Sequence, residues 1–293
     1  MPGFDGYELD LITVGEQTLR VRYGGSGPPL LLLHGYPQTH LCWRAVAADL
    51  ARDFTVIAPD LRGYGGSGKP PADAEHHAYS KRAMAADVLA LMAHLGHDRF
   101  DVAGHDRGGR VGYRLALDSP QAVRRLTVLD IVPTGEVWAR ADDRFALTYW
   151  HWTLLAQPYP VPEIMIARDP DWFFFDIQFG GALRDRDEAT FAEYSRAVSD
   201  PAVITAICED YRAGATTDRA ADDADRAAGR RITCPVQVLW SAKGPVGAWY
   251  DPLAVWREWA DDVTGAGLDG GHFLPEDNPA QTLEALRRFH SGR

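Results

Sequence analysis

The sequence predicts an α/β fold, with a mostly parallel sheet and a helical segment inserted after the sixth strand. Three observations predict it. Short continuous apolar runs of strand length alternate with stretches of helical periodicity up to Pro133. From 134 to 228 the texture changes to aromatic residues and helix formers, with no clear β run. Strand texture then returns at Val236-Gln237-Val238-Leu239-Trp240. The expected organisation is therefore a sheet domain, residues 1–133 and 229–293, interrupted by a helical cap, residues 134–228.

In chain order, Leu9–Val14 and Thr18–Tyr23 are β-like runs, and Leu30–Leu33 is a continuous apolar run ending at His34-Gly35, as a buried parallel strand would be. Trp43–Leu50 has helical period. Phe54–Ala58 is the next strand, followed by Pro59-Asp60 and the Gly-rich stretch Gly63–Gly68. Ser80–Leu95 repeats Met84, Val88, Leu91, Met92 and Leu95 at helical spacing. A strand over 99–104 leads into a helix from about 107, then the strand Leu126–Asp130. Within the insertion, Trp150, Trp152 and Trp172–Phe175 form aromatic clusters, and the Ala/Asp/Arg-rich stretch Thr217–Arg231 reads as an exposed helix or linker. A short strand near Val263, the loop Gly270-Gly271-His272 and a last helix, Pro279–Phe289, close the chain.

The chemistry concentrates in Gly104-His105-Asp106-Arg107-Gly108-Gly109-Arg110. Strand, Gly-flanked turn and helix are the context of a nucleophile elbow, with Asp106 at the usual serine position. An aspartate at a helix start is ordinarily a cap. Small residues on both sides are instead what a strained turn with close helix–strand packing requires. A carboxylate there can attack saturated carbon and become an ester. His272 comes last and late, the place of the histidine in the order nucleophile, acid, histidine. Asp130 and Asp251 are the candidate acids. The turn Ser241–Pro245 carries no carboxylate, which favours Asp130 at a strand end. The loop His34-Gly35-Tyr36-Pro37 can aim an N–H at a developing oxyanion, so the Tyr36 and Arg107 N–H groups are the expected pair. Arg107 and Arg110 share one helix face. The helix dipole disfavours cations there, so two of them suggest an anionic substrate held by guanidinium forks.

Composition narrows the classes. A net charge of −11 argues against nucleic acid and anionic membranes as partners. No run is long enough to span a bilayer. The N-terminal residues show neither a basic start nor an apolar stretch, so no signal peptide is expected. Three cysteines, Cys42, Cys208 and Cys234, form no metal-spaced pair and suit a cytoplasmic protein. Neither a metal nor another cofactor is expected.

These motifs resemble the α/β-hydrolase superfamily, and within it the haloacetate and fluoroacetate dehalogenases. The resemblance runs over essentially the whole chain: His34–Thr39, Asp60–Gly65, Gly104–Arg110, Asp130, His151-Trp152 and Gly271–Leu274. Arg107 discriminates, because haloalkane dehalogenases and epoxide hydrolases usually carry Trp after the nucleophile. The resemblance implies that Asp106 displaces halide from the α-carbon of a small 2-haloacid. Arg107 and Arg110 would hold the carboxylate, and His272, oriented by Asp130, would activate the water that hydrolyses the ester. His151 and Trp152 would donate to the departing halide. It also brings a homodimer into consideration. One departure stands out. Fluoroacetate-active members resemble Glu209–Ala215 and then place a Tyr in the halide pocket, where this chain has Thr216. Thr216 is the expected substitute donor, and chloro- and bromoacetate are expected to be better substrates than fluoroacetate. Two alternatives remain open. An epoxide hydrolase could draw on Tyr149, Tyr159, Tyr194 or Tyr211, but has no use for two arginines. A non-catalytic carboxylate-binding protein on this fold is the other.

Overall fold

In the computed structural model, which describes residues 3–292, eight strands form one sheet. They are β1 (Glu8–Val14), β2 (Gln17–Gly25), β3 (Pro29–Leu33), β4 (Thr55–Pro59), β5 (Phe100–His105), β6 (Val123–Leu129), β7 (Val236–Ser241) and β8 (Val263–Leu268). Their spatial order is β1-β2-β4-β3-β5-β6-β7-β8. β1 and β2 pair antiparallel, β2 pairs antiparallel with β4, and the rest is parallel. The all-apolar runs mark the central strands: Leu30–Leu33 and every residue of β5 are buried.

From β3 the chain steps outward to β4, then crosses to the other side of β3 as β5. The crevice between the C-terminal ends of β3 and β5 is thus a topological switch point, where open α/β sheets bind ligands. Helices α1 (Arg44–Leu50), α2 (Lys81–His94) and α3 (Arg107–Asp118) belong to this half of the sheet. Ser80 caps α2, its hydroxyl accepting from the Ala83 N–H.

Between β6 and β7 lie seven helices: α4 (Thr134–Ala139), α5 (Asp143–Thr148), α6 (Trp150–Leu155), α7 (Val161–Ile166), α8 (Glu188–Val198), α9 (Pro201–Ala215) and α10 (Thr217–Ala227). A π-helical turn, Trp172–Ile177, carries Phe173, Phe174 and Phe175 into the core. α9, capped by Asp200, is buried from Ile207 to Gly214. After β7 come α11 (Pro245–Trp249) and α12 (Pro252–Arg257), and after β8 α13 (Leu274–Asp277) and α14 (Pro279–His290).

The stretch expected to be exposed, Thr217–Arg231, is only partly so. α10 buries Asp218, Asp222 and Asp225. Asp222 accepts from Tyr113 Oη at 2.8 Å, the Gly135 N–H at 2.8 Å and Arg114 Nη2 at 2.8 Å. Asp218 accepts the Lys81 N–H at 2.8 Å. Its acidic residues find partners on α2, α3 and α4, 87 residues or more away in sequence, which local composition does not reveal.

The glycines around Asp106 set how closely α3 approaches the sheet. A Cβ on Gly108 would lie 2.3 Å from Leu33 O and 2.5 Å from His34 O, and one on Gly104 would lie 2.4 Å from Gly108 O. Backbone cannot yield as a side-chain tip does. Gly108→Ala is therefore expected to cost about 3 kcal/mol of stability, the upper part of the overpacking range. Urea unfolding checks this, and an unchanged midpoint would mean that α3 can move off β3 freely.

Candidate active site

Asp106 sits between β5 and α3 with φ +43° and ψ −113°. For a residue other than glycine this is a strained conformation, which turns its side chain away from the helix it precedes. It does not act as a cap, since its carboxylate makes no hydrogen bond to the first turn of α3. Instead Oδ2 accepts the Tyr36 N–H at 3.0 Å. Gly35 makes that approach possible, because a Cβ there would meet Asp106 Cβ at 2.7 Å. Of the two N–H groups expected around this carboxylate, the Tyr36 N–H is bonded to it and the Arg107 N–H is not.

Asp130 follows β6 with φ +55°. Its Oδ1 accepts the Ser241 N–H at 2.9 Å, and its Oδ2 lies 2.7 Å from His272 Nδ1. The other candidate acid, Asp251, makes no hydrogen bond to His272 and caps α12 through the Ala254 N–H at 3.0 Å. His272 is held further by Phe179, whose ring stacks on the imidazole at 6.3 Å.

Charge is tuned across the site. Burial would raise the Asp106 pKa, but His272, Arg107, Arg110 and His105 outweigh it and hold the carboxyl far below the ordinary range. Burial would lower the His272 pKa. The hydrogen bond to Asp130, with the charges of Asp130 and Asp106, overrides it and raises this imidazole above its ordinary value. His151 goes the other way, pushed down to about 3 mainly by burial, so it is a neutral ring with a single N–H to give.

A cavity of about 230 Å³ opens over Asp106. Asp106, Asp130, His272, Arg110, His151 and Trp152 all line it, together with Tyr36, Tyr149, Gln178, Phe179, Tyr211, Tyr250 and apolar groups from Ile131, Val132, Val137 and Val246. Residues from both sides of the β6–β7 insertion therefore meet here.

The two arginines differ. Arg107 is pinned: Nε and Nη2 reach the Asp210 carboxylate at 3.0 and 3.1 Å, Nη2 also reaches Asp210 O at 3.0 Å, and the guanidinium lies 3.9 Å from the centre of the Tyr211 ring. Only Nη1 is left without a partner. Asp210 also accepts from Lys81 and from Tyr64 Oη. Arg110 pairs with no carboxylate among the described residues. Its Nη1 donates to Val132 O and Thr134 Oγ1, each at 3.1 Å, and its guanidinium stacks 4.6 Å from the Trp152 ring. Its Nε is buried without a partner. Arg110 thus brings to the cavity wall a cation in no salt bridge among the described residues, felt by the Asp106 carboxylate, whereas Arg107 is directly paired with Asp210.

Thr216 requires a correction. It ends α9 on the outer surface, its hydroxyl donating to Arg212 O at 2.7 Å, and it does not line the cavity. The side chain satisfies its own helix end, so it is not a halide ligand. What the sequence reading did not place were Asp210, Phe179 and Tyr250. A signal for Asp210 existed: Glu209-Asp210-Tyr211-Arg212 are four successive polar-tipped residues in a buried helix, and buried polar groups need partners.

A family model described as the alpha/beta hydrolase fold matches residues 28–279. The chain is 44% identical to a fluoroacetate dehalogenase from Burkholderia sp over 98% of this chain and 95% of that one. It is 34% identical to a soluble epoxide hydrolase from Corynebacterium sp. (strain C12) over 97% and 94% of the two chains. A solved structure from Nostoc sp PCC 7120, described as an alpha/beta hydrolase, superposes with a TM-score of 0.92 at 46% identity, covering 98% of each chain.

Proposed function

The chain belongs to the α/β-hydrolase fold family and, within it, to the haloacetate and fluoroacetate dehalogenases, hydrolases acting on carbon–halide bonds; from that premise we propose that its substrates are small 2-haloacids, converted to 2-hydroxy acids through an ester on Asp106. The observation that supports this most is a combination: an ionised carboxylate on a strained turn shares one cavity with Arg110, which is in no salt bridge among the described residues, and the His272–Asp130 pair.

In this reading Arg110 neutralises the substrate carboxylate and Arg107 adds its unpartnered Nη1. The α-carbon faces Asp106, whose Oδ attacks as the C–halogen bond breaks. The His151 and Trp152 N–H groups receive the halide. His272, aligned by Asp130, then takes a proton from water as that water attacks the Asp106 acyl carbon. The oxyanion formed there meets the Tyr36 N–H, which already touches Oδ2. Residues 134–228 act as a cap over the core formed by 1–133 and 229–293. No step calls for a cofactor. Thr216 lies outside the cavity, and the hydroxyl that stands with His151 and Trp152 is that of Tyr211; the preference for chloro- and bromoacetate over fluoroacetate then rests on fluoride being the poorer leaving group. Among the described residues no helix is long and apolar enough to cross a membrane. A cytoplasmic place and a homodimeric state remain part of the proposal.

Purified protein is expected to release halide from chloroacetate and bromoacetate, measured by ion chromatography against fluoroacetate and 2-chloropropionate. Folded protein that releases halide from none of them sinks the reading. The two arginines give a finer test. Losing a charge-assisted hydrogen bond of about 2–3 kcal/mol raises KM roughly 30- to 160-fold. Arg110→Gln is expected to show that rise for chloroacetate with a smaller change in kcat. A KM unaffected by the substitution would remove Arg110 from carboxylate binding.

A further inference from the structure

His105 ends β5, immediately before Asp106. Its imidazole is buried and does not line the cavity. The ring lies 4.8 Å from that of His272, tilted by 53°. Its polar contact is with backbone: Nε2 stands 2.8 Å from His272 O. The other ring nitrogen, Nδ1, is buried without a partner among the described residues. These contacts fix the tautomer. A carbonyl oxygen can only accept, so Nε2 carries the proton. With the proton on Nδ1 instead, two lone pairs would face each other and an N–H would be buried unpaired. Burial, with His272 adding to it, pushes the His105 pKa down to about 4, so the ring is a neutral Nε2–H donor at neutral pH.

A general base has to be held at both ends. The His272 ring is bonded through Nδ1 to Asp130 Oδ2 at 2.7 Å, which leaves Nε2 for the water. One such bond acts as a pivot, and where Nε2 points then depends on the backbone that carries the ring. Phe179 packs on one face of the ring, but from the insertion rather than the sheet. The peptide between His272 and Phe273 is clamped on both sides. His105 donates to its carbonyl, and Asp277 Oδ2 accepts its N–H at 3.1 Å. Asp277 lies in α13, a few residues further along the same segment, and moves with it. His105 belongs to the strand that ends in the nucleophile. Of the two clamps, it alone refers the His272 backbone to the position of Asp106.

We infer that His105 is a positioning residue for the hydrolytic half of the reaction proposed above: its Nε2–H fixes the His272 backbone relative to the Asp106 elbow, and with it the place of His272 Nε2 beside the water that attacks the ester. His105 reaches neither substrate nor water itself. Alkylation draws on Asp106, Arg110 and the halide donors, and is independent of this bond. Hydrolysis depends on it, because a base displaced by about 1 Å can lose up to about 10²-fold in rate.

Glutamine and methionine separate the donor from the volume. In His105→Gln the amide nitrogen reaches where the imidazole Nε2 stood and can still donate, whereas His105→Met has a chain of the same length and no donor. Bromoacetate is the substrate. Rapid quench follows bromide release, and intact mass follows the loss of the carboxymethyl ester from Asp106 within a single turnover. His105→Met is expected to alkylate within about threefold of the wild-type rate, with kcat/KM likewise, while ester hydrolysis slows at least about tenfold. His105→Gln is expected to stay within about threefold of wild type in both steps. Ester hydrolysis undiminished in His105→Met overturns the inference and leaves the dehalogenase reading intact. An equal fall in both steps overturns it too, since His105 would then only pack the elbow, and so does a glutamine variant as slow in hydrolysis as the methionine variant. Should His105→Met not fold, the wild-type ring decides: ¹⁵N NMR is expected to find the proton on Nε2, and a proton on Nδ1 overturns the inference. Wild-type protein that neither releases bromide nor forms the ester overturns the reading of the site, and the role of His105 with it.

Discussion

Asp106→Asn is expected to abolish halide release, with turnover falling about 10⁴-fold or more, the scale seen when a nucleophile is removed and only binding remains. The substitution isolates chemistry from structure. Asparagine tolerates positive φ as aspartate does, so the turn at +43° persists. Its amide oxygen can still accept the Tyr36 N–H that Oδ2 accepts at 3.0 Å. What disappears is the anionic oxygen, and the amide that replaces it is a poor nucleophile toward carbon. No neighbour can take over, because the other carboxylate on the cavity wall, Asp130, is committed through both oxygens to Ser241 N and His272. A single turnover of wild-type protein in H₂¹⁸O sharpens the same point. The label is expected on Asp106 and not in the glycolate, since the product hydroxyl is an aspartate oxygen. Label found only in glycolate means that water attacked the substrate directly.

Much of this site was legible because its parts are local. The strands announce themselves as apolar runs, and each reactive group stands within a few residues of a strand end: Tyr36 after β3, Asp106 after β5, Asp130 after β6 and His272 after β8. A parallel sheet brings such positions to one edge whatever the loops contain. The glycine spacing around Asp106 was equally readable, since the contact it permits, Gly108 against Leu33 O, lies at the elbow itself.

What was not legible depends on pairings between distant segments. Arg107 and Arg110 look alike in sequence, three residues apart on one helix. They became different only when α9 delivered Asp210 to one of them, 103 residues away. The same holds for Thr216. The family pattern after Glu209–Ala215 suggested a place in the halide pocket, but Thr216 caps the end of α9, where its hydroxyl satisfies the carbonyl of Arg212. α10 was misjudged for the same reason. Its aspartates are buried by virtue of Arg114, Tyr113 and Lys81, none of which is near it in the chain.

His272→Gln is expected to separate the two halves of the reaction. Alkylation asks nothing of His272 as a base, so halide should appear as a burst approaching one equivalent per site. Hydrolysis of the ester loses its general base and slows by about 10²–10⁴-fold. The chain then accumulates the mass of a carboxymethyl group on Asp106, visible in the intact protein and in the peptide that contains it. Turnover without such a burst would place His272 outside the slow step. The pH dependence of the wild-type enzyme follows from the same division of labour. Asp106 is held far below the usual carboxylate range, so it is already ionised at mildly acidic pH, and kcat/KM, which reports alkylation, is expected to stay flat there. His272 must be neutral to accept a proton from water, and its pKa is raised by Asp130 and Asp106. Falling pH protonates it, so kcat is expected to drop on the acid side while kcat/KM does not. In the ester the Asp106 charge is gone. One of the causes raising the His272 pKa is thereby removed, and Asp130, with a smaller help from Asp277, remains against burial. The acid limb of kcat should therefore lie below the His272 pKa of the free enzyme, which titration of the ring by NMR can report. Coincidence of the two values would mean that the Asp106 charge contributes nothing to raising the His272 pKa.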